Sequence, residues 1–108
     1  KKLMWIILKN SFLSVVEDSN DSKKLLVRAR IEGDIEKIFP DFEVFESLDS
    51  DYRFRSFIPR ENVISAISEE IKNIDYPNFK NRVFSNDQKR ASHYTKIWRV
   101  MHSAQSKI

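Results

Sequence analysis

Arginine alternates with apolar residues in two short stretches of this chain. The first is Leu26-Val27-Arg28-Ala29-Arg30-Ile31, and the second is Tyr52-Arg53-Phe54-Arg55-Ser56-Phe57-Ile58. Successive side chains on a strand point to opposite faces. As strands, the first sets Arg28 and Arg30 against Val27, Ala29 and Ile31. The second sets Arg53 and Arg55 opposite Tyr52, Phe54 and Ile58. With both apolar faces turned inward in one sheet, four guanidinium groups collect on an open surface. Their planar, bidentate donors suit phosphate or carboxylate. Phe57, and Tyr52 at an edge, add rings on which bases could stack. The competing arrangement pairs these arginines with Glu43, Glu17 or Asp51, or buries them in ion pairs beneath a helix.

A second concentration of chemistry is Asp75-Tyr76-Pro77-Asn78-Phe79-Lys80. Read as a binding loop, it offers Asp75, Tyr76, Asn78 and Lys80 to a ligand. Read as a corner between helices, it plugs Tyr76 and Phe79 into the core and pairs Asp75 with an arginine. Tyr94 and Trp98 fall on an apolar stripe and are expected in the core.

Catalytic chemistry finds little support. The two histidines, His93 and His102, fall on opposite sides of a helix at about 100° per residue. They can neither share a metal nor act as a pair. The absence of cysteine removes thiol nucleophiles, disulfides and Cys-ligated metals. A single glycine excludes glycine-rich phosphate loops. No catalytic residue, metal ligand or cofactor is expected.

Charge is unevenly laid out under a net +3. Residues 34–51 hold Asp34, Glu36, Asp41, Glu43, Glu46, Asp49 and Asp51 against Lys37 alone. Residues 76–108 hold Lys80, Arg82, Lys89, Arg90, Lys96, Arg99 and Lys107 against Asp87 alone. Such asymmetry marks either a basic nucleic-acid face or two segments that neutralise each other.

The elements that must position these groups follow from periodicity. Strands are expected at 4–9, 12–17, 24–31, 42–47 and 52–58. A short helix is expected at 34–39, ended by Pro40. The cleanest helix is 61–74, where Val63, Ile64, Ile67, Ile71 and Ile74 form one stripe. One or two turns over 78–84, with Pro77 as the first helical residue, precede a last helix at 88–105. Strands followed by helices predict an α+β fold. Its antiparallel sheet of four or five strands comes from the N-terminal half and is packed by two or three C-terminal helices. At 108 residues and 41% hydrophobic, a single domain spanning 1–108 is expected. No apolar run approaches the roughly 18 residues of a membrane span, and the basic-then-apolar start is too short for a signal peptide. A cytoplasmic protein that does not enter membranes is expected.

Met4-Trp5, Phe12 with Ser14-Val15-Val16, Val27-Arg28-Ala29-Arg30, Asp51-Tyr52-Arg53-Phe54-Arg55, the Asp75–Lys80 segment and Tyr94 with Trp98 together resemble a family of small bacterial proteins with copies on mobile elements. The resemblance covers nearly the whole chain, and Tyr76-Pro77-Asn78-Phe79-Lys80 is its most specific part. It implies a stand-alone domain of this length and no particular activity. The chain departs from it at Ser56, where relatives have Ala.

The leading expectation is a non-enzymatic protein that recognises an anionic partner, nucleic acid or nucleoprotein, through Arg28, Arg30, Arg53 and Arg55. The alternative is a protein–protein module, such as a phage-related inhibitor or regulator of a host complex, that uses the acidic segment or the aromatics. The third is a small nuclease, metal-dependent or built on arginine, tyrosine and carboxylates.

Overall fold

The computed structural model describes residues 3–106. The chain divides into two compact units, Lys1–Ile74 and Asp75–Ile108. The first contains strands β1 (Leu3–Ile7), β2 (Phe12–Asp18), β3 (Asp21–Ala29), β4 (Phe45–Glu46) and β5 (Phe54–Pro59), with helices α1 (Asp34–Ile38) and α2 (Arg60–Lys72). The second contains α3 (Phe79–Asn86) and α4 (Gln88–Gln105). The fold is α+β: a five-stranded antiparallel sheet from the N-terminal half, followed by helices. The strands lie in the order β1-β2-β3-β5-β4.

Local chemistry explains the turns. Lys9-Asn10 closes the first hairpin without glycine, with the Leu8 N–H donating to the Ser11 carbonyl at 2.8 Å. Ser19-Asn20 closes the second, where the Asp18 carboxylate accepts from the Asn20 N–H at 3.0 Å. A register shift sits beside it at Glu17 and Asp18. Gly33 precedes α1 with φ 91°, a left-handed conformation that glycine adopts without a Cβ penalty.

One face of the sheet makes the core. Leu13, Val15, Val27, Ala29 and Ile58 are buried against Ile35, Ile38 and Phe39 around α1 and Val63 of α2. Ser56 also points inward and is fully buried. Its hydroxyl donates to the Glu43 carbonyl at 2.7 Å, which removes the cost of a polar group where an alanine would fit. Asp34, also fully buried, ties α1 to the first hairpin. Its carboxylate accepts the Phe12 N–H at 2.9 Å, and its carbonyl accepts the Ser11 hydroxyl at 2.8 Å.

Several expected boundaries are corrected. β4 keeps only two residues of the expected 42–47, because Phe42 and Val44 fold onto the core instead. β5 begins at Phe54, so Tyr52 lies outside the strand. In α2, Val63 is buried and Ala66 and Ile67 pack on the core, whereas Ile64 and Ile71 are exposed, as is Ile74, which lies beyond the helix end at Lys72 rather than within the expected 61–74. The apolar stripe marked a face able to be buried, but the core is reached only through the first half of the helix. α3 starts at Phe79 rather than at Pro77, and Asn78 is its N-cap. The Asn78 side chain caps the helix by accepting the Asn81 N–H at 3.0 Å.

In the second unit, Val83, Ala91 and Tyr94 are buried and Phe79 stacks on Tyr94 at 6.0 Å. α3 has 8 residues against 18 in α4, too few to cover both ends. Trp98, expected in the core, lies beside the start of α3 with Lys80 over its ring and is 46% exposed. Among the described residues no helix is long and apolar enough to cross a membrane.

Asp34→Ala leaves the Phe12 N–H without its charged acceptor and is expected to cost about 1.5–3 kcal/mol in urea unfolding. Lys37, whose 3.8 Å ion pair to Asp34 is made from a side chain 45% exposed, should tolerate Lys37→Ala with a change below about 1 kcal/mol.

Candidate functional site

The sheet face opposite the core carries Arg28 and Arg55, while Arg30 lies just past β3, which ends at Ala29 instead of the expected 31. Register places Trp5 beside Ser14, Ser14 beside Arg28, Arg28 beside Arg55, and Arg55 beside Phe45. One row therefore crosses all five strands on a single face, with two arginines flanked by small and aromatic side chains. The adjoining row runs Leu3, Val16, Leu26 and Phe57. Trp5, Phe45 and Phe57 are exposed, and Phe45 stacks on Phe57 at 5.6 Å.

Tyr52 organises the centre. The sequence pattern places it opposite Arg53 and Arg55. Because the chain bends before β5, its ring lies on the arginine face instead and is only 5% exposed. The Arg28 guanidinium sits 4.5 Å from the ring centroid and that of Arg30 4.0 Å. The Tyr52 hydroxyl accepts the Trp5 Nε1–H at 3.0 Å. The Tyr52 carbonyl accepts the Arg55 Nε–H at 3.2 Å, and Arg28 Nη2 donates to the buried Ser14 hydroxyl at 2.8 Å. Tyr52 thus touches three arginines through its ring and main chain.

None of Arg28, Arg30 and Arg55 lies within ion-pair distance of a carboxylate among the described residues. The expected competitors are elsewhere: Glu17 pairs with Arg60 at 3.2 Å. Arg53 behaves differently. It precedes β5 and binds Glu46 at 2.6 Å, so its charge is already matched. Trp5, Ser14 and Phe45 join the site without having been singled out by type. The signal for them is register: a hairpin closed at Leu8 and Ser11 pairs Trp5 with Ser14.

The other candidate residues lie in the second unit. Asp75 forms an ion pair with Arg82 at 2.9 Å, and Arg82 sits 5.2 Å from the Tyr76 ring centroid. Asn78 spends its side chain on the α3 cap. Lys80 Nζ lies 4.1 Å from the centroid of Trp98, which stacks on His102 at 4.9 Å. Every one of these side chains has a partner within the unit. Among the described residues no group of three or more His, Asp or Glu could hold a metal ion.

Tyr52→Phe keeps the ring under Arg28 and Arg30 and loses the Trp5 hydrogen bond, an expected cost of about 1 kcal/mol. Tyr52→Leu removes the ring as well and should cost more. Its deficit should shrink in high salt, which screens the uncovered guanidinium charges from one another. Urea unfolding at low and high ionic strength checks both.

Comparison with protein families, with characterised proteins and with solved structures found no match for this chain.

Proposed function

We propose that this protein binds single-stranded nucleic acid on the open face of its sheet, without catalysis. The observation that carries this reading is that Arg28, Arg30 and Arg55 are gathered on Tyr52 with no carboxylate among the described residues to match them, next to exposed aromatic rings. Arginine held in place by stacking and hydrogen bonding keeps unused donors in a fixed geometry, which suits phosphate. Trp5, Phe45 and Phe57 supply flat apolar surface on which bases stack with little regard to sequence. A protein partner with an acidic surface would satisfy the charges equally but would leave the rings without a planar counterpart.

Fluorescence anisotropy with a labelled mixed-sequence single strand tests the reading. Binding should weaken steeply with salt. Arg30→Ala should lower affinity and reduce the salt slope by about one phosphate contact. Phe57→Ala should cost about 1–3 kcal/mol while changing the slope little. Absence of binding in dilute buffer, or binding untouched by both substitutions, would contradict it.

A further inference from the structure

The two edges of the sheet are built differently. β4 is two residues long, and its Glu46 is engaged by Arg53. A short, charged edge is how proteins discourage unwanted strand pairing. β1 is five residues, Leu-Met-Trp-Ile-Ile, with no charge and no proline. Leu3, Met4 and Trp5 are 53%, 61% and 58% exposed. The bond from the Leu8 N–H to the Ser11 carbonyl fixes which way the main chain points. Leu8, Ile6 and Met4 turn their polar groups toward β2. By the alternation of antiparallel ladders, the N–H and C=O of Leu3, Trp5 and Ile7 face outward along the edge.

We infer that β1 pairs antiparallel with β1 of a second copy of this chain, joining two sheets into one. The segment is self-complementary about a dyad at Trp5. Leu3 lies opposite Ile7 of the other copy, Met4 opposite Ile6, and Trp5 opposite Trp5. The three outward-facing residues on each strand supply about six intermolecular main-chain hydrogen bonds. Apolar side chains meet apolar side chains on both faces, and within Leu3–Ile7 no like charges are brought together. Head-to-tail pairing of β1 with β4 would engage only two residues of β4, so the symmetric arrangement uses more of the edge. The row that begins at Trp5 would then continue across the dyad into its copy. This inference stands independently of the nucleic-acid reading.

Sedimentation equilibrium of the full chain tests it, together with amide hydrogen exchange. A mass twice the 12.9 kDa of the chain is expected, falling to the single mass on dilution, with protected amides at Leu3, Trp5 and Ile7. Ile7→Pro removes an outward N–H without touching the β1–β2 ladder, and Leu3→Lys adds the missing edge charge. Each should abolish the dimer while leaving the circular dichroism spectrum unchanged, and if one variant misfolds the other decides. A wild-type chain that stays monomeric up to about 1 mM would overturn the inference. So would a dimer that survives in a folded variant, or rapid exchange of the three outward amides within a dimer.

Discussion

Arg28 and Arg55 stand directly across from one another on neighbouring strands, and the architecture of the open face turns on how that pair is held. Like charges in opposed positions destabilise a sheet by a few tenths to about 1 kcal/mol. Tyr52 offsets this. Its ring lies under Arg28 and Arg30, where each contact contributes roughly 0.5–2 kcal/mol. Its carbonyl draws the Arg55 Nε–H. The guanidiniums are therefore fixed by an aromatic ring, a hydroxyl and a carbonyl, none of which neutralises charge. That separates this cluster from Arg53 and Arg60, each matched by a glutamate.

The two faces of the sheet divide the labour. The buried part of the inner face is apolar except for Ser56, whose hydroxyl is satisfied by a carbonyl, and it anchors α1 and α2. Asp34 locks α1 to the first hairpin from a fully buried position. This lock fixes the far side of the hairpin that carries Trp5, and the Trp5 indole in turn bonds to Tyr52. Core and open face are linked through β1 and β2, so Tyr52, although it lies in the bend before β5, is tied to the sheet through Trp5.

The sequence made the α+β architecture readable, because alternation and helical periodicity report burial on one face, and that is what the inner sheet face and α4 required. Arg28 and Arg55 could be placed on a shared face from spacing alone. Tyr52 could not, since alternation assumes the strand continues, and the chain bends just before Phe54. Arg53 was grouped with the others by the same assumption. Ile64, Ile71 and Ile74 show the converse: periodicity finds a stripe but does not say whether a partner covers it. Trp98 is exposed for the same reason: it lies beside the start of α3, with Lys80 over its ring. Trp5 and Phe45 entered the site through register, which depends on hairpin closure and on pairing between distant segments.

The unmatched charge at the centre of the face leads to one decisive comparison: thermal unfolding of the wild-type chain and of Arg55→Met, each with and without a short single-stranded oligonucleotide. Removing one of two opposed cations should leave the free protein about as stable as before, because relief of repulsion offsets one lost hydrogen bond. The oligonucleotide should raise the wild-type melting temperature through binding to the folded state and should raise that of Arg55→Met much less. An equal shift in both proteins, or a free variant several kcal/mol less stable than wild type, would contradict the account.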